Sequence, residues 1–575
     1  MQQLPQDLLL QIYIDHLLDS QYQQLDHFFH EFTKTPSIWL SLLQRLKLLL
    51  PPGQPIVKGA LGHHTAEYLI SRSMRFQQKW RWDYNPLPGY YKFDCPKRVL
   101  SIVSLPGGKH MISVHDEGDT ENTVQNVIIV WDMSFRGRRN HAIIAVLRLG
   151  ASIHRLQARY ALVGGHISLV IAYVQSPSED SLSRITTVTV KYAHLALLNE
   201  TSRLSSDSRA YEEFMQNSPG PFENLFNNST QHSVGAISLS EINGLPILAV
   251  VHRSRTIVIY HLISRTRSTL RLLPLPDYGE WRHSIWNIKL LSSQEHVFVI
   301  RTLINPALDA DDYTPIAFEL YNFPPADGSC DDEEDHDCDH DVDDDRPQNH
   351  PVQFGTIMDY IVESCCISDG EASWNFRTHP DPDIPMLHMF SRSSPPPLSV
   401  FLTTKEKRGF IHFLMPPENK SPENHGYYYK LPATVHARYE WQDREAPIIF
   451  PGAYHSIVAM RSPPPQPLRG ISVLQLCAYR TESYEFSGPK DINYYNPRSD
   501  DALPGSDEMG VDIPMAIGGT ESLRNRAMKY PALPDLLAQS MRQGTRSLQF
   551  DEWLGRLFIV TSNDPDTIHV LDWSL

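Results

Sequence analysis

The densest set of potential metal ligands in the chain runs from Asp331 to Asp345, where Asp and Glu are interleaved with His336, Cys338 and His340. Carboxylate oxygens and imidazoles suit a divalent cation, but the segment lacks the glycine and the terminal glutamate of a calcium loop, and its like charges repel one another. It reads as a solvated loop, and no metal site is assigned. The adjacent Cys365 and Cys366 fit a strand that sends one thiol to each face better than they fit a chelate. His63 and His64 follow Gly62 in a loop, while His16, His27 and His30 fall in helical stretches, and nothing in their spacing joins them to a nucleophile. The sequence carries no Walker phosphate loop, dinucleotide glycine fingerprint, H-E-x-x-H helix or G-x-S-x-G elbow. The reading is therefore a binding protein, not an enzyme, with no catalytic residue and no cofactor.

Composition narrows the class further. At 575 residues the chain exceeds what one core normally supports, so several domains or one repetitive architecture is expected. The six cysteines, Cys95, Cys330, Cys338, Cys365, Cys366 and Cys477, form no C-x-x-C pair, which argues against a zinc ribbon or a disulfide framework. A formal charge of -16 makes nucleic acid a poor partner, since that affinity rests on a basic surface. No apolar run approaches the length of a membrane span, and Met1 to Asp7 has no basic region of a secretory signal. Residence in the cytoplasm or nucleus, away from membranes, is expected.

The first fifty residues read as helices. Pro5 and Asp7 suit a first helical turn, Leu8 and Ile12 share a face, Leu25, Phe28, Phe29 and Phe32 form a second apolar face, and Thr35-Pro36-Ser37 introduces Ile38 to Leu46. Leu4-Pro5-x-Asp7-Leu8-Leu9-x-x-Ile12 and Thr35-Pro36-Ser37-Ile38-Trp39 resemble the opening and closing segments of an F-box, as found in the fungal, basidiomycete-type F-box proteins that carry a degenerate WD-like β-propeller behind it. Between them, Leu25 to Thr33 departs from the usual Cys-basic-Trp pattern. The resemblance implies docking on a Skp-family adaptor, and through it on a cullin, with Leu4, Pro5, Leu8, Leu9, Ile12 and Trp39 as the adaptor-binding residues. A further helical stretch, Thr65 to Phe76, resembles the linker helix of those proteins.

Beyond about Arg98 the helical period gives way to short β-branched and aromatic runs between turn clusters, the pattern of a sandwich, barrel or propeller. Val127 to Asp132, Thr187 to Tyr192, Thr256 to Tyr260, Ile316 to Leu320, Gly409 to Phe413, Gly470 to Leu474 and Thr567 to Trp573 resemble one another, which suggests seven blades. Among these runs Trp131-Asp132 alone reproduces the WD dipeptide, and Asp572-Trp573 reverses it. Ring closure is favoured over two sandwiches because it hides strand edges. The expected architecture is multidomain, α plus all-β: an F-box-like helical domain over 1–50, a linker with a helix over 51–94, and a seven-bladed propeller over 95–575 with long loops near 323–400 and 481–544.

The function these expectations imply is a substrate-recruiting subunit of an SCF-type ubiquitin ligase, with the propeller holding a protein target while partner subunits transfer ubiquitin. A propeller scaffold without ligase role is the alternative, and a propeller hydrolase or lectin a third.

Overall fold

The computed structural model describes residues within 88–573, leaving out, among other stretches, 177–184, 199–219, 330–348, 369–396 and 481–527. The described residues are almost entirely strand, with α-helix confined to a turn at 195–198 and to positions 537 and 541. Among them, no helix is long and apolar enough to cross a membrane.

The strands follow the chain as antiparallel meanders. The first sheet joins Val99–Ser104, His110–Asp116, Asn126–Asp132 and Ala142–Leu149. The second joins Ser152–Val163, His166–Ser176, Thr186–His194 and Glu223–Thr230. In the third, Val234–Ile242, Leu245–His252, Thr256–His261 and Thr266–Arg271 are extended by the short strand Gly328–Ser329. The fourth holds Arg282–Leu291, His296–Ile304, Ile316–Asn322 and Gln353–Ile357, and the fifth Val362–Ile367, Leu398–Thr404, Gly409–Met415 and Thr434–Tyr439. The sixth comprises Ile448–Phe450, His455–Ser462, Val473–Arg480 and Met528–Lys529. The closing sheet takes Thr545–Asp551, Arg556–Thr561 and Thr567–Asp572 and completes itself with Gly89–Asp94, which pairs antiparallel with the last of them. A two-stranded ribbon, Pro417–Asn419 with Tyr427–Tyr429, belongs to none of these sheets and is held to the fourth by Tyr429 N–H, which donates to Gln294 Oε1 at 2.9 Å.

Period-two alternation explains how these sheets stack. In the first sheet Ile112, Val114, Ile128 and Val130 pack on Tyr160, Leu169 and Ile171 of the second, while Met111, Val127, Ile129 and Trp131 pack on Phe558, Val560, Ile568 and Val570 of the closing sheet. Middle strands covered on both faces read as continuous apolar runs, which is why Asn126–Asp132 is buried at every position. The same face-to-face packing joins second to third, third to fourth, fourth to fifth, and sixth to closing sheet. The first strands of successive sheets lie side by side: Val99–Ser104 packs against both Thr545–Asp551 and Ser152–Val163, and Val234–Ile242 against both Ser152–Val163 and Arg282–Leu291. Sheets stacked face to face with their first strands inward are the blades of a β-propeller.

Two expectations are corrected. The described chain is an all-β propeller, not an α plus all-β assembly, and no helical F-box is part of it; residues 1–87 lie outside the described residues. The four-stranded blade occurs six times, not seven, because the sheet begun by Val234–Ile242 takes Gly328–Ser329 as a fifth strand against Thr266 and Arg267. The physical reason is that a period read from single runs cannot show how many strands each run recruits. Gly89–Asp94, within the segment read as linker, is a blade strand.

Candidate functional site

The site-bearing feature of this fold is the set of polar side chains that its strands bury. In the first sheet a buried chain of hydrogen bonds starts at Trp131, whose Nε1–H donates to Ser113 Oγ at 2.6 Å. Ser113 Oγ lies 2.6 Å from His115 Nε2, and His115 Nδ1 lies 2.8 Å from the carbonyl oxygen of Lys97. A carbonyl only accepts, so Nδ1 carries the proton, Nε2 accepts from the Ser113 hydroxyl, and the serine accepts from the indole. Burial holds the imidazole's pKa below the ordinary histidine value, against the raising effects of the Lys97 carbonyl and Asp566.

Ties between sheets line the inner strands. Gln157 Nε2 donates to the Ile237 carbonyl at 2.7 Å, while its Oε1 accepts from Leu239 N–H at 2.7 Å, so one amide bridges the second and third sheets. Ser238 Oγ accepts from Leu290 N–H at 3.0 Å between third and fourth, and Ser547 Oγ accepts from Ile102 N–H at 3.2 Å between closing and first. These contacts occupy backbone edges of the inner strands with side chains of the neighbouring blade.

Charged groups serve the same end. In the closing sheet Arg556 Nε donates to Asp572 Oδ2 at 2.7 Å, and its Nη1 reaches the Met133 carbonyl of the first sheet at 3.2 Å, with both side chains essentially without exposure. Arg301 pairs with Glu319 in the fourth sheet and donates to the Leu273 carbonyl at 2.7 Å. Burial drives the Glu319 carboxyl upward in pKa although Arg301 opposes it. Tyr160 of the second sheet lies 2.7 Å from His110 Nδ1 of the first; burial, with Asp551 and Asp132 adding, pushes its phenol far above the ordinary tyrosine value and keeps it protonated. These contacts fasten strands within a blade and one blade to the next.

The residues singled out from sequence fare differently. Leu4, Pro5, Leu8, Leu9, Ile12 and Trp39 lie outside the described residues, as does the Asp331–Asp345 tract. Cys365 and Cys366 lie on Val362–Ile367, and burial lifts the Cys366 thiol to about 12 and the Cys365 thiol well above its usual value, so both stay protonated. Trp131 and Asp132 are both buried. Ser113 and His115 went unread, although polar residues set between the apolar Met111, Ile112 and Val114 of a buried strand are a signal that partners must exist.

Antiparallel four-stranded blades and a last blade completed by the chain's earlier strand decide the fold. It is a β-propeller. No family model and no curated protein matches the chain. Among solved structures it is similar to the β-propeller domain of Cps50 (Swd1) from Myceliophteria thermophila, at 8% identity over 85% of this chain and 99% of that one, with a TM-score of 0.41. The WD40 domain of SCAP from fission yeast follows at 8% identity over 84% and 98%, TM-score 0.39. Chaetomium thermophilum Raptor shares 8% identity over 98% of this propeller chain and 37% of that one, TM-score 0.37. Likeness at this level assigns no function.

Proposed function

We propose that this protein is a non-enzymatic interaction scaffold whose propeller binds a protein partner. The observation that carries this reading is the commitment of the buried titratable groups to the blades themselves: Arg556 to Asp572 and Met133, His115 to Ser113 and Lys97, Tyr160 to His110. Groups spent on rigidity leave recognition to the surface, and a rigid frame lowers the ordering cost of binding. The fold alone does not assign the role, so the test is direct. Affinity purification of the full chain followed by crosslinking mass spectrometry should give a near-stoichiometric protein crosslinked to propeller residues. Turnover of ester or glycoside substrates by a chain that captures no such protein would overturn the reading.

A second, finer reading rests on a specific sequence observation, the paired Leu4-Pro5-x-Asp7-Leu8-Leu9-x-x-Ile12 and Thr35-Pro36-Ser37-Ile38-Trp39 motifs. In it the scaffold is a ubiquitin-ligase subunit that recruits its partner as substrate, acting in the cytoplasm or nucleus. Titrating a purified Skp-family adaptor against the full chain and a Trp39→Ala variant decides it, because a central tryptophan anchor commonly contributes ~2–4 kcal/mol, roughly thirty- to a thousandfold in Kd. Equal binding by both leaves the scaffold reading alone.

A further inference from the structure

One group of side chains outside the interior ties has the arrangement of a ligand site. Gly164 and Gly165, at φ 59° and 79°, reverse the chain between Ser152–Val163 and His166–Ser176, a two-residue turn that glycine adopts without strain. The turn delivers the exposed His166 beside the end of Thr186–His194. Ser168 pairs with His194 in register, so His166 is the diagonal neighbour of His194 on the same face of the sheet. Their ring centroids are 5.3 Å apart, with the rings inclined at 72°.

The hydrogen bonds around His194 accommodate the tautomer that a metal requires. Ser168 Oγ has one proton and lies 3.2 Å from the carbonyl oxygen of His166, which can only accept. With the serine donating there, it accepts from His194 Nδ1–H at 2.8 Å, and in the neutral ring the lone pair falls on His194 Nε2. A histidine that donates its far ring N–H to a fixed oxygen while keeping the other nitrogen as a lone pair is arranged as a metal ligand. Tyr192 braces the ring edge-on, with centroids 5.2 Å apart, and is itself anchored by donating its hydroxyl hydrogen to Glu223.

Each nitrogen stands about 2.0 Å from a tetrahedral zinc ion, so two imidazoles sharing that ion have centroids about 5 Å apart. The observed 5.3 Å matches that spacing. We propose that His166 and His194 form a two-imidazole site for a borderline first-row divalent ion, Zn(II) or Cu(II), on the surface of the second sheet. No group of three or more His, Cys, Asp or Glu able to hold a metal occurs among the described residues, so solvent completes the coordination and the ion exchanges. The site differs in chemistry from the carboxylate-rich Asp331–Asp345 tract, whose oxygens suit harder cations.

The test is calorimetric titration of Zn(II) and Cu(II) into the full chain, the His166→Gln variant and the His194→Gln variant, with Cu(II) electron paramagnetic resonance to count bound nitrogens. With 26 histidines in the chain, the difference between wild type and variant is the readout, not total uptake. Because His166 is exposed, its replacement leaves the fold intact, and circular dichroism verifies this. The expected result is one site weakened at least tenfold in each single variant, with the two-nitrogen signal of the wild type lost in both. Equal affinity in wild type and His166→Gln, or loss in His194→Gln alone, overturns the proposal.

Discussion

Trp131 and Ser113, eighteen positions apart, meet across one strand pair, and the indole N–H of the first donates to the hydroxyl of the second at 2.6 Å inside the first blade. Ser113→Ala deletes the centre of the chain and strands both the indole N–H and the His115 ring nitrogen away from water. Each buried group left unsatisfied costs ~1–3 kcal/mol, so the variant should lower stability by roughly 2–4 kcal/mol in urea denaturation with an unchanged m-value. A loss below about 0.5 kcal/mol would show that water replaces the serine.

His115 also makes a pH prediction. Its folded pKa lies below the unfolded value of about 6.5, so the unfolded chain binds the extra proton more readily. The stabilisation is fully present above about pH 6.5 and is lost as the pH falls from there through the folded pKa, with a slope of at most about 1.4 kcal/mol per unit for one proton. His115→Gln should flatten that part of the stability profile measured between pH 7 and pH 5, relative to wild type. An identical profile would assign the acid sensitivity to other groups, His261 and His569 among them, whose pKa values burial also lowers.

The Arg556–Asp572 pair ties the closing blade to the first through Met133. Asp572→Ala leaves a buried guanidinium without its anion, which typically costs ~3–5 kcal/mol. Replacing both, as Arg556→Met with Asp572→Leu, removes the charge as well as the pair and should recover most of that loss. Thermal unfolding of the single and double variants checks this; a double variant no more stable than the single one would mean that the Met133 contact dominates.

Much of the propeller was legible because its middle strands obey a simple rule. Val127 to Asp132, Thr256 to Tyr260, Ile316 to Leu320 and Thr567 to Asp572 are β-branched runs, each the third strand of its sheet, and burial on both faces demands that composition. Gly470 to Leu474 enters the described residues only at Val473, which lies on the strand Val473–Arg480. Gly89–Asp94 hid behind its proline-rich approach, and its strand character depends on a partner at the opposite end of the chain, which no local pattern encodes. The added strand Gly328–Ser329 is two residues long and carries no periodicity at all. His166 and His194 were scattered histidines in the sequence; only the register of their two strands makes them neighbours.

Gln157 should matter more than its partial exposure suggests, because its amide satisfies two backbone groups of another blade at once. Gln157→Ala leaves the Leu239 N–H and the Ile237 carbonyl to find other partners, for ~1–3 kcal/mol, whereas Gln157→Glu keeps the acceptor and loses the donor. Amide hydrogen exchange at Leu239 should accelerate in the alanine variant and stay protected in the glutamate variant. Equal exchange in all three would show that the bridge does not control the edge.

Closure of the ring makes the strongest claim on stability, since Gly89–Asp94 is joined to Thr567–Asp572 by six facing residue pairs and, among the described residues, to no other strand. Phe93 extends that contact beyond its own sheet: its ring packs on Trp131 of the first blade, with centroids 5.2 Å apart at 57°. Tyr90, three residues earlier, stacks on His569 and shares a 3.0 Å hydrogen bond with its Nδ1. The two aromatics differ in reach, because Tyr90 fastens the strand to its own blade while Phe93 fastens that blade to the next. Phe93→Ala should therefore cost the larger amount, about 3 kcal/mol, near the lower limit for a phenylalanine since the ring is only half-buried. Tyr90→Phe removes only the hydrogen bond and should cost about 1 kcal/mol. If closure unites the blades into one cooperative unit, Phe93→Ala shifts the whole denaturation transition, seen alike by tryptophan fluorescence and by far-ultraviolet circular dichroism. A variant in which the fluorescence transition separates from the dichroism transition would show instead that the first and closing blades open alone, and that the ring is fastened elsewhere.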